Sequence, residues 1–346
     1  MLYRPVNASA NDLLKATARS FYLTLRVLPP PVRPQIGLAY LLARTTDTVA
    51  DTEIVPVAQR LSALQRLRDH IMGHPSGPLD FGELARQQGA PSERLLLEKA
   101  GESVAALHAL GEGDRELIRS VLLTIIGGQE LDVHRFAGAS ADRIAALRTA
   151  AELEDYTFRV AGCVGEFWTK LCRANLFPGA KLEEAQMVAD GIRFGQGLQL
   201  VNILRDLPAD LNHGRCYLPL EKLVPLGLSP ENLLHPENEA AFLRVVRVHL
   251  ELAEAHLAAG WRYTNCLPFG QFRVRLACAW PLLLGVRTVE KLRAARVADL
   301  QRRVKVPRTA VYAVLFQSVL ASPWPFWWRR LYDPAAKAVA SEGELA

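Results

Sequence analysis

The sequence predicts an all-α fold, a single large bundle of helices over residues 1–346, with 322–346 as a C-terminal aromatic and basic tail. Three observations carry the helical part of that prediction. Apolar residues recur at helical spacing along most of the chain, no segment sustains an alternation of period two, and no Gly/Ser-rich linker divides the 346 residues. Length alone would suggest two domains of roughly 100–150 residues each. The loop-like stretches, however, each join helices and need not join domains. Half of the residues are hydrophobic and 22% are charged, which is enough apolar material for a large core.

The elements follow in order. The start "MLYRPVNASANDLLK" has no basic segment followed by an apolar run, so it does not read as a signal peptide. Ile36, Tyr40, Ala43 and Asp47 share one helix face. The stretch "GHPSGPLDFGELARQQGAPS" reads as a connection. Leu95, Leu96, Ala100, Val104, Leu107 and Leu110 then recur at helical spacing, as do Ile118, Val121, Leu122 and Ile125. In "LVNILRDLPAD" Pro208 lacks a backbone N–H and should kink or end the helix near Leu207, setting Asp210 off the ideal stripe. After a second connection, "LGLSPENLLHPENEA", the residues Leu243, Val246, Leu250, Ala253 and Leu257 repeat the helical pattern. Residues 309–328 carry no charge, a length that could in principle span a membrane. Gln317, Ser318, Pro323 and Pro325 argue instead for a core helix ending near Ser322, followed by an interfacial segment.

Charge and cysteine usage narrow the function. The net charge of +5 favours anionic partners such as phosphates or acidic lipid surfaces. It is too weak and dispersed for nucleic acid. The five cysteines are odd in number and lack CxxC spacing, which reads as reduced, mostly buried thiols in a cytoplasmic protein, with no zinc site and no disulfide framework. "VAGCVG" and "RFGQGLQ" place Ala161, Gly162, Gly165, Gly195 and Gly197 inside helical patterns, where each glycine costs roughly 1 kcal/mol against Ala. Two readings stand: close helix–helix packing, or room for long ligand chains beside the backbone.

The chemistry lies in two carboxylate pairs. Asp47 and Asp51 are four residues apart, as are Asp206 and Asp210, and both pairs sit in apolar surroundings. Such neighbours on a helix lie roughly 5–6 Å apart. Their mutual repulsion raises each pKa unless a cation intervenes. Mg²⁺ suits them, since it takes oxygen ligands and shares its remaining sites with waters and phosphates. Asn202, Asp206 and Asp210 continue one stripe, with Gln199 a turn earlier. Arg44, Arg205 and Arg215 lie close by, and arginine matches phosphate geometry. Carboxylates for metal and arginines for phosphate add up to a diphosphate site. The plainer alternative for either pair alone is a solvated helix face. The apolar residues interleaved in "LVNILRD" weigh against it, because buried charge must be paired or metal-bound.

At these residues the chain resembles the squalene/phytoene synthases, which join two isoprenyl diphosphates head to head. The resemblance is carried by "ARSF" (18–21), "YLLARTTDTVAD" (40–51), "YTFRVAGCVG" (156–165) and "GLQLVNILRDLPADLNHGRCYLP" (197–219). It implies a helical bundle around a deep apolar cavity with aspartate motifs facing each other at its mouth. It implies that Asp47, Asp51, Asn202, Asp206 and Asp210 bind Mg²⁺ and, through it, the diphosphates. Arg19, Ser20, Arg44, Arg205 and Arg215 match diphosphate-contacting positions, and Phe21 closes the first matching block. Tyr40, Tyr156 and Gln199 match polar groups near the reacting carbons. Tyr156 would assist proton removal, because no His or Glu is placed in these motifs to do so. The chain departs from many relatives at Ala50, Thr52 and Ala209, where acidic residues are frequent.

The activity most strongly implied is that of a squalene synthase: Mg²⁺-dependent condensation of two farnesyl diphosphates to presqualene diphosphate, then reduction to squalene by NADPH. Lys291 and Arg293, in a basic stretch with Arg302, Arg303 and Lys305, would serve the NADPH phosphate; a solvated basic helix face is the plainer reading. No Rossmann-type glycine motif is present. The alternatives are phytoene synthase, an enzyme that stops at presqualene diphosphate, and a non-catalytic scaffold, against which the intact aspartates argue. In the tail, Trp324, Trp327 and Trp328 beside Arg329 and Arg330 predict peripheral association with an anionic membrane through residues 322–332.

Overall fold

The computed structural model of the chain describes residues 8–18, 21–52, 54–75, 77–301 and 304–332. The N-terminal half runs through α1 (Ala8–Ala18), α2 (Phe21–Val27), α3 (Arg33–Asp51), α4 (Val57–Met72), α5 (Gly82–Gln87), α6 (Pro91–Glu98), α7 (Ala100–His108) and α8 (Glu112–Arg135). It continues with β1 (Ala145–Ala146), α9 (Ala150–Thr157), one turn of π-helix (Phe158–Gly162), α10 (Cys163–Leu176), α11 (Glu184–Asn212), β2 (Arg215–Cys216) and α12 (Leu220–Leu223). Three 3₁₀ turns lead into α13 (Glu239–Cys266), α14 (Phe272–Ala294), α15 (Val297–Leu300), α16 (Arg308–Ala321) and α17 (Pro325–Arg330). The run from Leu95 to Leu110, one pattern in the sequence, is divided at Lys99 between α6 and α7. Among the described residues no helix is long and apolar enough to cross a membrane.

Two hydrophobic clusters fill the bundle. One gathers α1 to α8, with Leu42, Leu64, Leu107 and Leu122 fully enclosed. The other gathers α11, α13 and α14 around Phe242, Leu257 and Leu282. Helix α10 serves both, sending Phe167 and Leu171 into the first and Cys172 into the second. Glycines of α10 and α11 show why small residues are needed where the two helices meet. A Cβ on Gly165 would collide with the backbone carbonyl of Gly191 on α11, and one on Gly195 with the carbonyl of Ala161. Close helix–helix packing therefore explains these positions. Of the cysteines, Cys163, Cys172, Cys216 and Cys278 are buried and Cys266 is exposed.

Three local features place the functional residues. Helix α3 has Pro34 in its first turn, where a missing N–H costs nothing, and ends at Asp51. The buried Arg60 of α4 donates to the Ala50 carbonyl at 2.7 Å, satisfying one of the end groups that the helix cannot pair itself. Second, β1 and β2 form a parallel pair only two residues long, with Ala145 opposite Arg215. Gly214, at φ +75°, turns the chain out of α11 into β2, and a side chain there would strike the backbone of Ser140. Third, α11 does not end near Leu207. It runs through Pro208 to Asn212, so the expected break is corrected. The proline falls in the penultimate turn, where one lost hydrogen bond is offset by the burial of Leu207 and Leu211 on either side.

The tail also differs in part from expectation. Helix α16 ends at Ala321, as the sequence predicts, but Trp328 is not at the surface. It stacks on Trp261 of α13 with ring centroids 5.5 Å apart, donates its indole N–H to Asn265 at 3.1 Å, and lies under the Arg275 guanidinium.

Candidate active site

The two aspartate motifs reach one cavity of about 740 Å³. Helix α3 supplies Arg44, Asp47 and Asp51, α8 supplies Gln129 and Asp132, α9 supplies Tyr156, and α11 supplies Gln199, Asn202, Arg205, Asp206 and Asp210. Arg215 of β2 and Tyr217 just beyond it complete the polar wall. Val133, Phe136, Val160 and Ile203 are among its apolar members. The wall is thus mainly polar, with five aspartates and four arginines, Arg60 being the fourth.

The first pair divides its contacts. Asp47 accepts a hydrogen bond from the Gln129 amide and lies 3.9 Å from Arg44, whose guanidinium also holds Glu93 of α6. Asp51, at the helix end, is more exposed and lies 3.4 Å from Arg215, which joins the first motif to the second across 164 residues of sequence. Arg215 also sits over the Phe136 ring, 5.9 Å from its centroid. On α11, Arg205 forks onto the neighbouring Asp206, with one contact at 3.0 Å. Asn202 donates to Gln199 at 3.4 Å, and Gln199 to the Tyr156 hydroxyl at 3.4 Å.

Two of these carboxylates, Asp47 and Asp210, are raised well above the ordinary carboxylate range. Burial first, and Asp51 second, push the Asp47 carboxyl up to about 7 despite Arg44 and Gln129. Burial and then Asp206 push Asp210 up to about 7, with Asp51 of the opposite motif adding to the shift. Among the described residues no three His, Cys, Asp or Glu side chains converge as a metal cage of their own.

A second cluster lies beside the pairs and was not singled out in the sequence. The Tyr217 ring stacks on Tyr156, centroids 4.4 Å apart, and its hydroxyl donates to Asp132 at 3.2 Å. Arg135 also pairs with Asp132, at 3.1 Å. Burial pushes the Asp132 carboxyl up to about 6. Burial, reinforced by Asp132, raises the Tyr156 phenol far above its ordinary value, so it stays protonated. Gln129 and Asp132 lie three apart in "GGQELD", one face of a helix, which is the signal that could have found them.

Other expected residues fall elsewhere. Tyr40 donates its hydroxyl to the Thr17 carbonyl at 3.0 Å and packs on Phe21, and neither is among the residues lining the cavity. Lys291 donates to the Lys305 carbonyl at 3.1 Å and Arg293 to Glu254 at 2.7 Å, and they too lie away from the cavity wall. Arg19, Ser20, Arg302 and Arg303 lie outside the described residues.

Comparison with known proteins places the chain among relatives. Residues 14–310 match the squalene/phytoene synthase family. The chain is 29% identical over 305 residues to a presqualene diphosphate synthase of Rhodopseudomonas palustris, covering 87% of this chain and 93% of that protein. It is 30% identical over 261 residues to a presqualene diphosphate synthase of Sinorhizobium fredii, covering 75% and 80% respectively. The structure of TcSQS with the ligand BPH1237 superposes with a TM-score of 0.74 at 23% identity, covering 89% of this chain and 85% of that one, a likeness of fold.

Proposed function

The chain belongs to the squalene/phytoene synthase family, and from that premise we propose that it is a prenyltransferase joining two farnesyl diphosphates head to head into presqualene diphosphate. The observation that carries the reading is the convergence of two carboxylate pairs, with Arg44, Arg205 and Arg215, on one cavity. The names of the relatives from Rhodopseudomonas and Sinorhizobium favour presqualene diphosphate as the end product. The contacts of Lys291 with Lys305 and of Arg293 with Glu254, away from the cavity wall, favour the same end point over NADPH-dependent squalene formation.

In this reading one diphosphate leaves C1 of the first farnesyl group with the C1–O electron pair, giving an allylic cation. The C2=C3 double bond of the second molecule attacks it, and loss of one proton closes the cyclopropane, the second diphosphate being retained. Arg44, Arg205 and Arg215 bind and orient the diphosphates by charge-assisted hydrogen bonds. The donor set fits Mg²⁺: two carboxylate pairs on one cavity, Asp47 and Asp210 pushed up to about 7 by burial first and a neighbouring carboxylate second, with room left for phosphate oxygens and water. When bound there, Mg²⁺ supplies the charge that makes diphosphate a leaving group. Tyr156 receives the departing proton while its own passes toward Tyr217 and Asp132, since a phenol held protonated accepts a proton only as it gives one up. Val133, Phe136, Val160 and Ile203 limit water around the cation.

The test is purified protein with farnesyl or geranylgeranyl diphosphate and Mg²⁺, with and without NADPH, and the products identified. Presqualene diphosphate from farnesyl diphosphate in both arms is expected. Squalene in the NADPH arm would restore the reductive activity, and phytoene precursors from the longer substrate would change the substrate class. No condensation in any arm would overturn the reading.

A further inference from the structure

The last two helices leave a large apolar face uncovered. The inner side of α16 is fixed to the bundle: Val314, Ser318 and Ala321 are buried, and the Trp280 indole on α14 donates to Ser318 at 2.9 Å. Its outer side carries Tyr312, Phe316, Val319 and Leu320, a helical stripe facing solvent. Beyond the turn at Ser322 the burial of Trp328 anchors α17 to α13, and this holds Trp324, Phe326 and Trp327 outward. The five aromatic residues of the face are between 58% and 66% exposed. At 150–250 Å² per aromatic side chain they present on the order of 600 Å² of apolar surface. A patch of that size on a soluble domain marks a surface that meets something else.

Charge decides what that is. Residues 304–332 contain no Asp or Glu, whereas Lys305 and Arg308 stand before the stripe and Arg329 and Arg330 after it, all exposed. The Arg330 guanidinium lies 4.6 Å from the Phe326 ring centroid, keeping a cation at the edge of the apolar surface. Tryptophan at the rim with arginine beside it is the arrangement that seats in the headgroup layer of a bilayer, apolar ring inward and cation toward phosphate. A second copy of this chain meeting it face to face would set arginine and lysine clusters against each other, with no acid in residues 304–332 to match them. Helix α16 has 14 residues and is too short to cross.

We propose that the outer face of α16, continued by α17, docks this protein flat on the surface of an anionic bilayer. The proposal is wider than the tail alone, since Tyr312 and Phe316 lie on α16, and it withdraws Trp328, which holds the scaffold. It does not depend on which isoprenoid the enzyme makes.

The test uses the full chain with phosphatidylcholine vesicles, with and without phosphatidylglycerol, read by sedimentation and by quenching of tryptophan emission with brominated lipid. Binding should require phosphatidylglycerol and weaken in high salt. Trp324→Ala with Trp327→Ala should weaken it about a hundredfold and remove most of the quenching. Phe316→Ser with Leu320→Ser should weaken it similarly. Arg329→Gln with Arg330→Gln should weaken it about tenfold or more. Each variant should keep the wild-type circular dichroism and melting temperature. Three outcomes would overturn the proposal: no binding to any vesicle, binding that all three variants retain, or a dimer in solution that the Phe316→Ser variant dissociates, which would assign the face to a second copy.

Discussion

Tyr217 lies flat against Tyr156, ring centroids 4.4 Å apart, and delivers its hydroxyl to the Asp132 carboxylate at 3.2 Å. The three residues come from α8, α9 and the segment after β2, so the tertiary fold builds a chain of proton-bearing groups that no single motif contains. In the proposed reaction this chain is the route for the departing proton, and that role can be tested. Tyr156→Phe should lower kcat by on the order of 10² or more, the usual share of a proton-transferring group. Tyr217→Phe keeps the stack and loses the hydroxyl, so it should cost less and leave KM near wild type. With Asp132 pushed up to about 6 by burial, its unprotonated form appears as pH rises through 6. Turnover should rise over that range, and Asp132→Asn should flatten the rise. A pH–rate profile unchanged in Asp132→Asn would remove it from the reaction.

The carboxylate pairs make the metal-free protein sensitive to pH in a definite direction. Asp47 and Asp210 are both raised to about 7 by burial, with a neighbouring carboxylate adding to each, while an unfolded carboxyl titrates near 3.8. Between those values the folded chain binds more protons than the unfolded one, so stability is lost as pH rises. In EDTA the melting temperature should fall from pH 5 to pH 8. Asp47→Asn should reduce the fall, and excess Mg²⁺ at pH 8 should restore stability by binding the folded state. A melting temperature that rises over this range would contradict the shifts.

Asp47→Ala and Asp206→Ala should each abolish turnover without unfolding the chain. Neither belongs to the two apolar clusters, and the partner left behind is in each case part of an open cavity wall. The comparison to make is circular dichroism against product formation at saturating Mg²⁺. Near-normal activity in either variant would break the link between the two motifs and the reaction.

The Arg215–Asp51 contact at 3.4 Å ties the end of α3 to β2. Asp51 is well exposed there, so the pair should add little to stability in its own right. Arg215→Gln is therefore expected to leave the melting temperature within a degree or two. It should raise the KM for farnesyl diphosphate, since the guanidinium faces the cavity. A large loss of stability with unchanged KM would make Arg215 structural.

How much of this was legible in the sequence depended on whether the information was local. The helices announced themselves because buried leucines such as Leu107 and Leu122 repeat at helical spacing. The Asp206 and Asp210 stripe announced itself because both residues lie on one helix, and Pro208 misled because burial of Leu207 and Leu211 outweighs one missing hydrogen bond. Tyr217 and Asp132 were passed over because their partnership spans 85 residues. Trp328 was read as interfacial because the tail's composition says nothing of Trp261, the ring it packs against. For Lys291 and Arg293 the sequence shows their proximity, but not that Arg293 pairs with Glu254 of α13.

The glycines of α10 and α11 allow a test of packing independent of activity. Replacing glycine by alanine within a helix normally stabilises by about 0.5–1 kcal/mol. At Gly165 the added methyl meets the Gly191 carbonyl, a backbone atom that cannot rotate away. Overpacking of this kind costs about 1–3 kcal/mol, and a backbone collision belongs at the upper end, so the sign should reverse. Gly165→Ala should lower the melting temperature by several degrees. Gly101→Ala, in the first turn of α7 with open space around it, should leave it unchanged or raise it slightly. The same comparison separates packing from substrate accommodation. If Gly165 served only to make room for an isoprenyl chain, Gly165→Ala would keep its melting temperature and instead raise KM for farnesyl diphosphate.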